Sequence, residues 1–359
     1  MIRLISVFLI PFIFLYSYGQ SSQSFDFRKL TSYALQGNIT KVINVLDILS
    51  DETLSAEQLE IKNKYYHRFK FQDEPITFPS DDTSIQQLLN IYQSYWRKAL
   101  LDNNNIEKYN GELADSITAF LNKHGYRVDT LSNEKMAKSF GLHLKKYLQN
   151  KQYYSATGKT GIFFDLFLWT REVPVTYIEQ LPETKTNTTV VFIENTLTMG
   201  WQEYATFGKA YPGGWATKEL LYCVRKAYDT TSENFKVSYL KHEAQHFADY
   251  KVYPILTGAD LEYRAKLTEL VFARQTLYNT IGTFIRNASS EGRNPHAFAN
   301  FTVIRDLSKV LFNKEFVTDI EQWKSVSPNK ISKTSKKLLR KHSRALRRAG
   351  ASTATEMIK

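Results

Sequence analysis

The hydrophobic period changes twice along this 359-residue chain, and these changes constrain its fold more than any other feature. From residue 25 to about residue 148, apolar residues recur at the spacing of an amphipathic α-helix. Short segments rich in β-branched and aromatic residues then predict strands at Gly161–Trp169, Val175–Leu181, Thr188–Glu194 and Trp215–Val224. From Thr231 the helical period returns. Strands followed by helices, without strict alternation, predict an α+β fold behind a helical N-terminal region.

The first residues have the layout of a secretory signal peptide. Arg3 precedes an apolar run from Leu4 to Tyr16, and Ser17 and Gly19 are small residues at the −3 and −1 positions of a cleavage site. The run is shorter than the roughly 20 apolar residues that a membrane-spanning helix needs. We therefore expect export, to the periplasm or the exterior, after cleavage near Gly19.

Size and composition exclude several other classes of protein. The apolar content of 43% is that of a globular chain and excludes a wholly disordered one. The single cysteine, Cys223, excludes an intrachain disulfide and a zinc site built from cysteine clusters. Because the length exceeds the roughly 250–300 residues at which one core stops growing, we expect several parts. The expected parts are a signal peptide over 1–19, a helical region over 20–150, an α+β domain over 151–323 and a basic segment over 324–359.

One short segment combines a helix-start signal with the spacing of metal ligands. Thr230 and Glu233 form a T-x-x-E pattern, which predicts a capping box at the start of a helix. On that helix His242 and His246 are four residues apart, so both imidazoles lie on one side and can bind one Zn²⁺. Glu243 lies about 100° round the helix, where it can take a proton from a water without displacing that water. The H-E-x-x-H pattern therefore predicts two zinc ligands and a general base.

A third protein ligand must complete such a site, because catalytic zinc keeps three protein ligands and one open position. The metzincin pattern requires a glycine and a third histidine where this chain has Asp249 and Val252, so that pattern fails. The next predicted helix offers three acids, which are Asp260, Glu262 and Glu269.

The segment from Tyr222 to Lys266 resembles the gluzincin metallopeptidases, the thermolysin-like clan. In that clan H-E-x-x-H on one helix is followed by a glutamate on the next, and here Glu262 lies 16 residues after His246 and begins an E-x-x-A motif. The resemblance implies a zincin-like catalytic domain, with a small mixed sheet and two active-site helices. It also implies a site composed of three zinc ligands and a base: His242, His246, Glu262 and Glu243.

The chain departs from the thermolysin pattern at Lys266, where many members carry an aspartate that orients a ligand histidine. Asp249 or a backbone carbonyl is the expected substitute. Two rival third ligands stay open. Asp260 lies in a segment that partly resembles the aspzincin motif G-T-x-D-x-x-Y, but as the third residue of a helix capped by Thr257 it would serve the helix terminus. Glu269 lies on the same helix face as Glu262, and its ordinary interpretation is a surface glutamate.

These residues predict a zinc metallopeptidase, or a related amidohydrolase, that acts on a peptide or protein substrate. Such a reaction needs a side chain to hold the developing oxyanion, and the candidates are Tyr250, Tyr263, Arg264 and His296. One alternative is a zincin-fold protein without turnover that acts as a binding protein or scaffold. Another is an aspzincin-like peptidase that uses Asp260 as its third ligand.

Ten cations and no acid lie between Lys324 and Arg348, and they account for nearly all of the net charge of +11. Such a segment could contact phosphates or an anionic surface. Ile331, Leu339 and Leu346 also keep a helical stripe, which favours a docked helix with a solvated basic face. Nucleic acid is not an expected partner of an exported protein.

Overall fold

The structure is a computed structural model that describes residues 25–74, 79–127, 133–217, 220–291, 294–350 and 353–358, without side-chain detail for 133–140. The predicted signal peptide lies outside these residues. The chain forms two compact units. Unit 1 comprises the described residues up to Val173 together with Ile193–Trp215, and unit 2 comprises Pro174–Phe192 together with the described residues from Ala216 onward. The domain boundaries at residues 150 and 323 stay predictions.

Unit 1 is built mainly from helices that share one apolar core, as the helical period predicts. Its helices are α1 (Arg28–Leu35), α2 (Ile39–Asp47), α3 (Ala56–Tyr65), α4 (Thr83–Leu101), α5 (Ile106–Lys123), α6 (Asn133–Asn150) and α7 (Trp201–Ala205). Local signals set several helix starts: Asp82 accepts hydrogen bonds from the backbone N–H of Ser84 and Ile85, and Ser55 forms a capping box with Gln58. Trp96 of α4 lies fully buried in this core.

A five-stranded mixed sheet confirms the α+β class. Its strands are β1 (Tyr154–Thr160), β2 (Phe163–Gln180), β3 (Lys185–Met199), β4 (Gly214–Ala216) and β5 (Leu221–Val224), in the order β1-β2-β3-β5-β4. Strand β2 is one continuous strand where the sequence predicts two, Gly161–Trp169 and Val175–Leu181. Pro174, which lies between the two predicted strands, does not break it. Since β1 pairs only with Phe163–Trp169, Pro174 interrupts no β1–β2 hydrogen bond.

A buried acid fixes the turn between β3 and α7 in unit 1. Gly200 has a φ of +87°, and a Cβ there would lie 2.1 Å from the Asp165 carboxylate, so only glycine fits. Asp165 Oδ1 accepts the Trp201 N–H at 2.8 Å. Burial raises the pKa of Asp165 to about 8, although that hydrogen bond acts in the opposite direction.

Unit 2 carries the motif helices. After a π-helical segment over Asn234–Lys241, its helices are α8 (His242–Val252), α9 (Gly258–Phe272), α10 (Leu277–Arg286), α11 (Pro295–Phe312), α12 (Ile320–Lys324) and α13 (Pro328–Ala349). Helix α9 packs against α8, α11 and α13, and every residue from Asp260 to Val271 is buried. Because this stretch includes several charged side chains, each of them needs a partner inside the unit. Among the described residues, none of the helices is both long and apolar enough to cross a bilayer.

The capping box predicted for Thr230 and Glu233 is wrong. Ser232 Oγ accepts the backbone N–H of Phe235 and caps the helix instead. The carboxylate of Glu233 accepts the backbone N–H groups of the loop before α10, from Arg274, Gln275 and Thr276. Burial acts to raise the pKa of Glu233, but these hydrogen bonds outweigh it and lower the pKa.

Candidate metal centre

Helices α8 and α9 bring three ligand-type side chains together inside unit 2. His242 and His246 lie one turn apart on α8, and their Nε2 atoms are 3.1 Å from each other. Glu262 of α9 faces both rings, with Oε1 3.2 Å from His246 Nε2 and Oε2 3.5 Å from His242 Nε2. All three side chains are buried, and one ligand atom of each lies within 4.8 Å of the others.

This donor group fits a metal ion in both spacing and chemistry. Two ligand atoms at about 2.0–2.1 Å from a tetrahedral zinc ion lie roughly 3.3–3.4 Å apart, close to the observed spacings. Two imidazoles and one carboxylate are also a ligand set found in catalytic zinc sites. Within the described part of the chain, this is the one group of three or more such residues close enough to share an ion. The three side chains could therefore hold a metal ion.

The electrostatics of the pocket favour positive charge at its centre. Burial acts to lower the pKa of His242, but the carboxylates of Glu262 and Glu269 outweigh it and raise the pKa to about 10. Although burial by itself would raise the pKa of Glu262, the neighbouring His296 and His242 hold it well below its usual range. The raised pKa of His242 reflects the negative charge of the two carboxylates beside it, and the lowered pKa of Glu262 keeps its carboxylate ionised, so the group offers an anionic ligand to a cation.

Glu269 orients the first histidine, a role that the sequence analysis did not give it. Its Oε1 accepts a hydrogen bond from His242 Nδ1–H at 2.7 Å, which leaves Nε2 free to act as a ligand. The side chain is buried, so the interpretation as a surface glutamate is wrong. The available signal was its place two turns after Glu262 on the same helix face. Lys266, the residue that departs from the clan pattern, has its Nζ 3.7 Å from Glu262 Oε2.

The expected substitute for the missing aspartate, Asp249, is engaged elsewhere. Its carboxylate accepts hydrogen bonds from Arg264 Nε at 2.8 Å and from Gln245 Nε2 at 3.0 Å. Gln245 in turn accepts the hydroxyl of Thr268 on α9 at 2.9 Å. Asp249 therefore joins α8 to α9 through Arg264 and Gln245, and its hydrogen bonds go to these residues instead of to either histidine.

Asp260, the rival third ligand, serves the helix terminus. Thr257 caps α9 by accepting the backbone N–H of Asp260, and its hydroxyl donates to Asp260 Oδ2 at 2.8 Å. The fully buried carboxylate also accepts His342 Nε2 at 2.8 Å and the backbone N–H groups of Met357 and Ile358 at 3.1–3.2 Å. Because its carboxylate already accepts these hydrogen bonds, Asp260 is not part of the group that could bind a metal.

Glu243 is placed beside the donor group, on the residue after His242. It is half-buried, and within the described residues its carboxylate makes no hydrogen bond or ion pair. Burial raises its pKa, although the nearby His246 and His242 act in the opposite direction. A partly accessible carboxylate with a raised pKa is suited to accept and release a proton.

The four oxyanion candidates separate into two pairs. Tyr263 donates a hydrogen bond from its hydroxyl to Asp306 at 2.8 Å, and Arg264 forms an ion pair with Asp249. Both side chains therefore have structural partners inside unit 2. His296 at the start of α11 is 23% exposed at its side chain and has its Nδ1 2.8 Å from Glu262 Oε2. Burial, followed by the charges of Glu262 and Glu243, raises the pKa of Tyr250 to about 12. The structure thus leaves Tyr250 and His296 near the donor group.

No protein-family model matches this chain, and neither a curated protein nor a solved structure is significantly similar to it. The buried group of two histidines and one glutamate therefore carries the functional argument.

Proposed function

We propose that this chain is an exported zinc-dependent metallopeptidase that hydrolyses peptide bonds. One observation carries the proposal: two imidazole Nε2 atoms and one carboxylate converge inside unit 2, with a general-base candidate on the adjacent residue. The resemblance of the same residues to the gluzincin motifs supports Zn²⁺ as the ion and peptide bonds as the substrate. The leader at the N-terminus supports export.

In this proposal each side chain has a separate task. His242, His246 and Glu262 would hold Zn²⁺, and a bound zinc ion supplies a Lewis acid that acidifies a water and polarises a carbonyl. Glu243 accepts a proton from the attacking water and passes it to the leaving amine as the C–N bond breaks. The water oxygen ends on the carbonyl carbon, so the products are a carboxylate and an amine. Tyr250 or His296 can donate a hydrogen bond to the oxyanion that develops on the way.

Metal content tests the first half of the proposal. We expect about one zinc per purified wild-type chain, measured by plasma mass spectrometry after gel filtration. His246→Ala removes one of three ligands and should abolish the stoichiometric zinc. His67→Ala is the matched control, because His67 is an exposed histidine of unit 1 that pairs with Asp73. Equal zinc in wild type and His246→Ala would refute the site.

Peptide-library cleavage tests the second half. Glu243→Gln keeps the three ligands, so it should retain zinc while turnover falls by at least about a thousandfold, since it removes the base. Glu315→Gln, a change at an exposed glutamate of the same unit, is the control. Full activity in Glu243→Gln would contradict the mechanism. Zinc binding without turnover in the wild type at any pH would favour the alternative of a zincin-fold binding protein.

A further inference from the structure

The exposed face of α13 carries a dense row of positive charge. The helix is about 33 Å long at 1.5 Å per residue and contains no acid. Its exposed cations include Lys333, Lys337, Arg340, Lys341, Arg344 and Arg348. At 100° per residue these six side chains fall within an arc of about 100°. None of them makes an ion pair with another described residue, so their charge faces solvent.

The opposite face of α13 anchors the helix firmly to unit 2. Ile331, Leu339 and Leu346 are fully buried, and the helix packs against α9 and α11. Ser343 accepts a hydrogen bond from Arg264 at 2.8 Å, and His342 is bonded to Asp260. The row of cations therefore lies on a helix that is packed against unit 2, and it is not a loose basic tail.

Two exposed aliphatic side chains lie near the C-terminal end of this row. Val252 and Ile255, in and after the last turn of α8, are 52% and 47% exposed. Val252 lines a cavity of about 470 Å³ together with Arg347 of α13 and Lys251. Leu256, the neighbour of Ile255, packs in one cluster with Leu346 of α13. The surface thus combines a cationic row with a small apolar patch at one end.

We infer that this surface, formed by the exposed face of α13 with Val252 and Ile255, docks unit 2 onto a membrane rich in anionic phospholipid. A row of cations that extends about 22 Å along one helix face, at 1.5 Å per residue from Lys333 to Arg348, can contact a layer of phosphate headgroups. The exposed aliphatic pair can enter the boundary between headgroups and acyl chains, as apolar residues of interfacial helices do. This inference does not depend on the proposed peptidase activity.

Nucleic acid is the other large polyanion that such a row could attract, and two features argue against it. Helix α13 contains no Phe, Tyr or Trp, so its basic face offers no aromatic ring on which bases could stack. The exposed Val252 and Ile255 gain nothing from a phosphate backbone, whereas they gain burial in a lipid interface. The aliphatic pair is therefore the feature that distinguishes the two partners experimentally.

The test is flotation of the mature chain with vesicles at 50 mM salt. We expect binding to vesicles with 40% phosphatidylglycerol, weak binding to pure phosphatidylcholine, and release by 500 mM salt. One variant carries Lys337→Gln, Arg340→Gln, Lys341→Gln and Arg344→Gln, and its affinity for anionic vesicles should fall at least tenfold. Each exposed cation contributes about fivefold to the affinity for an anionic membrane, so a tenfold loss on removing four cations is a conservative expectation. Its matched control carries Lys29→Gln, Lys108→Gln, Lys123→Gln and Lys146→Gln, the same loss of charge at exposed lysines of unit 1, and should bind like wild type.

A second variant, Val252→Asn with Ile255→Asn, keeps all cations and tests the apolar patch. It should lose vesicle binding at least tenfold, while any residual binding to a 20-base-pair duplex stays unchanged. Three results would overturn the inference: no binding of wild type to anionic vesicles, equal loss in the α13 variant and its control, or tighter binding to the duplex than to vesicles. Thermal unfolding of each variant shows whether it is folded, so that a loss of binding is not mistaken for misfolding. The salt dependence of wild-type binding shows whether that binding is electrostatic.

Discussion

Removing the charge of Glu269 should weaken metal binding without removing a ligand. The hydrogen bond between its carboxylate and His242 Nδ1 is 2.7 Å long, and both side chains are at most 6% exposed, so no bulk water can replace it. A hydrogen bond to a charged group contributes roughly 1.5–3 kcal/mol, which corresponds to a change of about 10–100-fold in an equilibrium constant. The usual loss of metal affinity on changing such a supporting residue is also about 10–100-fold.

The assay is a zinc titration against a chelating dye, on apo-protein prepared with a strong chelator. We expect Glu269→Gln to raise the dissociation constant about tenfold, because glutamine keeps an acceptor but lacks the charge. Glu269→Ala, which leaves the Nδ1–H of His242 buried without an acceptor, should raise it about 100-fold. Glu315→Gln is the control at an exposed position. Wild-type affinity in both Glu269 variants, with unfolding temperatures unchanged, would refute the idea that this carboxylate orients His242.

Three predictions concern stability, measured by urea unfolding of the whole chain. Because the pKa of Asp165 is raised to about 8 from 3.8, the folded state keeps a proton that the unfolded state has lost above about pH 4. Its contribution to the free energy of unfolding should therefore decrease from about pH 4 to pH 8, by up to about 1.4 kcal/mol per pH unit, and Asp165→Asn should flatten this decrease. Gly200→Ala should cost about 2 kcal/mol or more, because the new methyl group meets the Asp165 carboxylate in a left-handed conformation. Leu339→Ala should cost about 2–5 kcal/mol, because Leu339 is fully buried on the inner face of α13.

Each of these three predictions would be contradicted by one specific result. An equal pH dependence in Asp165→Asn and wild type would mean that the folded state holds no proton on this acid. If Gly200→Ala unfolds at the same urea concentration as wild type, the turn has room that the structure does not show. A loss below 1 kcal/mol for Leu339→Ala would mean that α13 is not packed as described.

What the sequence predicts well is set by short-range geometry. His242 and His246 fall on one side of a helix because four residues make slightly more than one turn, and no tertiary contact is needed for that conclusion. The basic face of α13 was predictable for the same reason, since the apolar stripe through Leu339 defines the opposite side. Glu262 is implied by the resemblance to the gluzincin motifs, since the residues alone leave Asp260 and Glu269 open as well.

What the sequence does not predict is set by contacts between elements. Glu269 reaches His242 only because α9 crosses α8 in one particular way, and 27 residues separate the two along the chain. Glu233 looks like half of a capping box, yet its carboxylate serves the backbone of residues 274–276, which no local pattern reveals. Pro174 looks like the end of a strand, and it is tolerated because β1 has already ended its pairing with β2.

The hydrogen bonds of Asp260 tie the first turn of α9 to residues that are synthesised much later. Its carboxylate binds the backbone of Met357 and Ile358, which lie 97 and 98 positions further along the chain. A nascent polypeptide on the ribosome carries both histidines and Glu262 long before these partners emerge from the exit tunnel. Until then the Asp260 carboxylate has the hydroxyl of Thr257 as its local donor and lacks the two backbone donors that complete its burial. The start of α9 therefore gains its full set of hydrogen bonds only after residues 357 and 358 have been made.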